Sequence, residues 1–161
     1  MSNQRFYFFI QSFIGGLLAG FALSQGWSFL MPFGLGLLWS SIEAPFAGFL
    51  WGSAAVLVSH RWFLDLHPLD WVGVPSLFSL PLAIFIWVLC AVAGGLLVET
   101  WSWIANFYKK VSFVKASFKR IILYAIFLSA LWGLGESLLS QWPFFWIGVG
   151  TSLLPGDIWL A

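Results

Sequence analysis

Residues 71–98, WVGVPSLFSLPLAIFIWVLCAVAGGLLV, decide the fold. Twenty-eight consecutive positions carry no Asp, Glu, Lys or Arg. A helix needs about 20 predominantly apolar residues to cross the hydrocarbon core of a bilayer, so this run is long enough to span one. Pro75 and Pro81 fall in its first third, where the first can open a helix and the second can kink one. Ala91, Gly94 and Gly95 give a small-residue face that another helix can approach. The reading places a helix at residues 74–103. Cys90 sits mid-helix between Leu89 and Ala91, away from any base that could generate a thiolate, and reads as a core residue rather than a nucleophile.

The rest of the chain has the same solvent. Of its 161 residues 61% are hydrophobic, 20% aromatic and only 8% charged. The mean hydropathy is +0.94. Soluble domains carry about 25% charge, so most of this apolar surface must face lipid. A net charge of +1 gives no electrostatic footprint for a nucleic acid. The lone cysteine cannot form a disulfide within the chain. These observations predict an all-α integral membrane protein, a single transmembrane domain over residues 1–161.

Working outward from the central run, residues 6–23 form the first predicted helix. Arg5 followed by an apolar stretch and Ala22-Leu23-Ser24 has the form of a secretory leader, but the chain stays equally apolar afterwards, and a retained helix is expected. Gly16 and Gly20 are spaced for close helix approach. Residues 26–42 form the second helix, with Pro32 tolerated in its first turns, and Glu43-Ala44-Pro45 breaks it. Residues 44–64 form the third, with Gly48 and Gly52 repeating the close-approach spacing. A polar loop, HRWFLDLHPLDW, then carries Trp62 and Trp71, rings suited to the membrane–water interface.

Beyond the central run, residues 106–120 hold Lys109, Lys110, Lys115, Lys119 and Arg120, and read as a loop held near anionic headgroups. Residues 121–139 form the fifth helix. Residues 144–154 are too few to span as a helix and are expected to form an interfacial or re-entrant segment. With five helices crossing alternately, six bases fall on one side and only Arg61 on the other. The positive-inside rule then sets the N-terminus in the cytoplasm, in a multi-pass protein of the cell (inner or plasma) membrane.

Few residues are placed to carry chemistry. Glu136 is an acid near the end of an apolar run, and such a charge is costly enough in lipid to be a functional candidate. Trp132 and Ser140 lie four residues to either side, on the same helical face; Ser129 and Gly133 lie on an adjoining strip. A carboxylate there could bind a cationic group. His60, Asp65, His67 and Asp70 are potential ligands, but their spacing matches no zinc signature, and a solvated loop with no metal is expected. There is no Ser-His-Asp elbow, Walker loop or HExxH. No cofactor is implied, and the chain shows no complete catalytic apparatus.

Three stretches resemble the N-terminal membrane region of bacterial apolipoprotein N-acyltransferase, particularly in its cyanobacterial form. They are GGLLAGFALSQGWSFLMPFGLGLLW at 15–39, AGFLWGSAAVLVSHRWFLDLHPLDW at 47–71 and LWGLGESLLSQWPFFWIGVGTSLLPGDIWLA at 131–161. The last is similar to the family's passage of glutamate, short spacer, aromatic-Pro-aromatic and Gly. The resemblance implies an enzyme that transfers an acyl chain from a phospholipid to the N-terminal amine of a diacylglyceryl-modified cysteine on a lipoprotein. It also implies that a cysteine, a glutamate and a lysine in a nitrilase-like domain outside the membrane perform the chemistry. None of the three is among these 161 residues, so the chain is expected to be a truncated or split membrane half that relies on a separate catalytic domain. Carried over residue by residue, Glu136, Trp142, Pro143, Trp146 and Gly148 would form the lipid-side rim of the active site. Many members have an arginine three residues after the glutamate, where this chain has Leu139. The competing expectation is a tryptophan-rich five-helix binding or transport protein without enzymatic activity, although the aromatic–proline signature of that class is missing.

Overall fold

The computed structural model describes residues 3–112 and 117–141. Five α-helices occupy most of them: α1 Asn3–Gln25, α2 Met31–Ser41, α3 Ala47–Ser59, α4 Ser76–Ser112 and α5 Phe118–Ser140. Short 3-10 turns precede α2 at Ser28–Leu30 and connect α3 to α4 at Arg61–Leu66 and Asp70–Val72. No strand occurs among the described residues. The protein is an all-α membrane protein.

Among the described residues three stretches are long and apolar enough to cross a bilayer: Arg5–Gln25, Ser76–Lys110 and Phe118–Ser140. The other two helices are shorter than the sequence reading of 26–42 and 44–64. With 11 and 13 residues, α2 and α3 extend only about 16 and 20 Å, against a hydrocarbon thickness of about 30 Å. The reasons are local. Gly26 adopts φ +68°, and the chain tightens into a 3-10 turn before Pro32 can open α2. Phe46 takes a left-handed φ of 63°, which delays the start of α3, and His60 leaves helical geometry at its end.

Helix order follows from the contacts. Gly16 on α1 faces Trp51 and Ala54, and Gly20 faces Ala55 and Val58, so α1 and α3 run parallel. Gly52 faces Gly94 and Val98 while Gly48 faces Glu99 and Ser102, so α4 returns antiparallel to α3. Leu97 meets Gly135 and Trp101 bonds to Leu128, so α5 returns antiparallel to α4. α3 packs on α1 and α4, α2 packs mainly on α1, and α5 packs mainly on α4, with Trp132 also meeting Trp51 of α3 edge to face.

Close approach holds this arrangement. A Cβ at Gly16 would lie 2.3 Å from the Trp51 carbonyl oxygen, and one at Gly52 would lie 2.4 Å from that of Gly94. Lipid tails are as apolar as leucine, so helices associate in a membrane through such tight packing rather than through a hydrophobic drive. Ala19, Ala22, Met31, Leu38, Trp51, Ala55 and Val98 are buried together at the junction of the first four helices. Cys90 is buried in a neighbouring cluster with Val56, Phe63 and Ala91.

Two further boundaries differ from the sequence reading. The basic stretch 106–120 is largely helix: Lys109 and Lys110 lie in the last turn of α4, and Lys119 and Arg120 in the first turn of α5. Cations are favoured at a helix C-terminus, and ring contacts of Tyr108 with Tyr124 and Phe127 extend the α4–α5 seam to this end. The loop 60–71 is also less solvated than its composition suggests. His60, Phe63 and Leu69 are buried, because the two 3-10 turns fold the loop back over the ends of α3 and α4.

Candidate functional site

Of the five residues expected at a rim, Glu136 is described, while Trp142, Pro143, Trp146 and Gly148 lie outside the described residues. Glu136 is half-buried on the last turns of α5. It shares a small void of about 20 Å³ with Trp132, with Leu23 of α1, with Trp51, Gly52, Ala55, Val56 and Ser59 of α3, and with Gly94 and Val98 of α4. That volume accommodates one water at most. Among the described residues Glu136 therefore borders a small gap between helices rather than an open pocket. Of its predicted helical face, Trp132 shares this void; Ser140 is exposed and bonds back to the Ser137 carbonyl at 2.8 Å.

Ser59 and Leu23 also form part of the wall of a much larger cleft, of about 550 Å³. Phe21, Ser24 and Gln25 from the end of α1, Leu57 and Val58 from α3, Arg61, Trp62 and Asp65 from the first connecting turn, and Trp87 from α4 complete it. Trp87 is fixed by its Nε1–H, which donates to the Leu57 carbonyl at 3.0 Å. Trp62 stacks on Phe63 with ring centroids 4.3 Å apart. The cleft thus combines a guanidinium, a carboxylate and small polar groups with apolar and indole walls. That is the chemistry of a site for an amphipathic molecule with a charged head.

Sequence reasoning missed this cleft, treating Arg61 only as a lone base in the charge count. The usable signal was Arg61-Trp62 directly after an apolar helix, together with Ser24-Gln25 at the end of another. The histidines of the loop are engaged locally. His60 Nδ1 lies 2.8 Å from Ser59 Oγ, and His67 Nδ1 lies 2.8 Å from Ser79 Oγ. Among the described residues no three of His, Cys, Asp and Glu converge as metal ligands would.

At the opposite end Glu43 accepts a hydrogen bond from Lys109 Nζ at 2.9 Å. That bond and the lysine charge hold its carboxyl below the ordinary carboxylate range. Glu99 of α4 plays an unpredicted part nearby. Its two oxygens accept from the backbone N–H groups of Phe46 at 3.1 Å and Phe49 at 3.0 Å. α3 has no capping side chain of its own, so a carboxylate from another helix satisfies donors left open at its start.

Known proteins similar to the chain share one name. Apolipoprotein N-acyltransferases from two strains of Prochlorococcus marinus are 48% and 45% identical to the chain over all of its residues. The enzyme of that name from Parasynechococcus marenigrum is 43% identical over the same span. The chain matches the N-terminal part of the apolipoprotein N-acyltransferases. It spans about a third of the length of these relatives, 33%, 32% and 34% respectively. No family model matches it, and no solved structure does.

Proposed function

We propose that this chain is the membrane part of an apolipoprotein N-acyltransferase, an enzyme moving an acyl chain from a phospholipid to the N-terminal amine of a lipoprotein. The observation that carries this reading is the identity of 45–48% along the whole chain to proteins of that name. In this reading the covalent chemistry belongs to a nitrilase-like domain outside the membrane, and no catalytic residue lies on these helices. Their task is to receive lipid-modified substrates and present them at the face where Glu136 and the 550 Å³ cleft lie. Glu136, Trp142, Pro143, Trp146 and Gly148 would shape the mouth of that site, with Glu136 orienting a cationic amine. The membrane would be the cell inner membrane, with the N-terminus cytoplasmic, as the distribution of bases supports.

The test is a chimera in which this chain replaces the corresponding third of the Prochlorococcus marinus enzyme, assayed for N-acylation of a diacylglyceryl lipopeptide. Activity near that of the parent is expected. Glu136→Gln should raise KM for the lipopeptide several-fold with a smaller change in kcat, since an orienting charge contributes mainly to binding. A chimera that reaches the membrane folded but transfers no acyl chain would overturn the reading.

A further inference from the structure

A second groove lies between α2, α4 and α5 and meets the Glu136 void only at Trp132. It measures about 500 Å³ and is walled by Gly36, Trp39, Trp101, Leu128 and Trp132, among others. Towards the basic end it shares Trp39, Leu128 and Ser129 with a further cleft of about 280 Å³ that reaches Tyr124 and Ile121. From Ile121 to Trp132 the helix rises about 16 Å, most of the length of a fatty acyl chain. The walls are almost wholly apolar. Trp101 Nε1–H is already committed to the Leu128 carbonyl at 3.0 Å, which leaves indole and aliphatic surface facing the groove.

The end of the bundle beyond Ile121 is basic. Lys119 and Arg120 lie immediately before Ile121, and Lys110 lies in the last turn of α4; all three are exposed. On the α2 side, Lys109 is neutralised by Glu43 and sits 6.0 Å from the Trp39 ring centroid. The charge offered at this end of α4 and α5 is therefore net positive, while the charge beside α2 is balanced.

We propose that this groove holds one acyl chain of an anionic phospholipid from the leaflet on the basic side, with its phosphate at Lys119 and Arg120. The tail-shaped apolar groove selects a lipid over a soluble anion, and the charge at this end selects an anionic over a zwitterionic headgroup. The site is distinct from the cleft beside Arg61 and does not depend on the acyltransferase reading.

Native mass spectrometry of the purified chain, offered phosphatidylglycerol or phosphatidylcholine in mild detergent, tests this. The chain should retain one phosphatidylglycerol in preference to phosphatidylcholine. The double change Lys119→Gln with Arg120→Gln should weaken that retention by roughly thirtyfold, at about fivefold per base. Gly36→Leu should abolish it with all charges intact: nothing lies within 4 Å of a Cβ at Gly36, so leucine fills the groove without displacing a helix. Ser129→Leu, from the facing helix, should do the same, and circular dichroism would show both variants helical. Equal retention of the two lipids would overturn the proposal. So would groove-filled variants that are folded and keep phosphatidylglycerol as tightly as the parent, since binding would then be diffuse headgroup attraction.

Discussion

At the residue scale the acids separate by what each one touches. Glu99 accepts from two backbone donors at the start of α3, so its removal leaves both unsatisfied. Glu99→Ala should cost about 2 kcal/mol, and Glu99→Gln less, because an amide oxygen can still accept one bond. Thermal unfolding in micelles should rank the three proteins in that order, and equal midpoints would show that the cap contributes nothing. Glu43 is a surface partner, with its side chain 58% exposed and that of Lys109 33% exposed, so its contribution is small. Its folded pKa is depressed below the ordinary 4.5, so that contribution is present above pH 4.5 and fades as pH falls through the folded value. Between pH 6 and pH 3 the midpoint of the parent should fall slightly more than that of Glu43→Gln; an identical fall would remove the pair from the account.

At the element scale, glycine spacing was legible before any coordinates. The Gly16/Gly20 and Gly48/Gly52 pairs face the helices that a close-approach pattern requires. Gly52→Val should force α3 from α4 and cost about 2 kcal/mol or more, because a Cβ there collides with backbone rather than with a movable side chain. Gly133→Ala, at an exposed position with nothing within 4 Å of a Cβ, should be neutral or slightly stabilising through helix propensity. Unfolding midpoints that treat the two changes alike would contradict the packing account. Helix ends were less legible, for a physical reason. Hydropathy reports that a stretch prefers lipid, not where its backbone stops being helical. The start of α3 depends on Glu99, 53 residues away from Phe46, and no local pattern contains that partner. The sequence did hold two halves of the clue: an acid within the apolar α4, and a helix start at Pro45-Phe46-Ala47 without a capping side chain. Glu136 was singled out by the same logic of an acid in an apolar run. Arg61 was overlooked because a base beside a turn looks ordinary until α1 and α4 close the cleft around it.

At the scale of the whole molecule, the contacts and the charges make one joint prediction about orientation. α1, α3 and α5 run parallel, and α2 and α4 run antiparallel to them, as the contacts of Gly15, Gly34, Gly52 and Gly135 require. The Glu43–Lys109 bond ties the α2–α3 turn to the end of α4, which gathers Arg5, Lys109, Lys110, Lys119 and Arg120 towards one end and leaves Arg61 at the other. Such asymmetry orients helices with the basic end in the cytoplasm. The prediction can be checked in a Cys90→Ala background, which removes the one native thiol, itself buried. Trp71, 72% exposed in the α3–α4 connection, and Ser117, exposed just before α5, lie at opposite ends. An impermeant maleimide added to intact cells should label Trp71→Cys at once and Ser117→Cys only after the membrane is opened. The reverse pattern would invert the protein, placing the Arg61 cleft and Glu136 in the cytoplasm, away from any acyl acceptor outside the membrane. Labelling would then refute the proposed function without disturbing the fold, since the helix contacts are the same in either orientation.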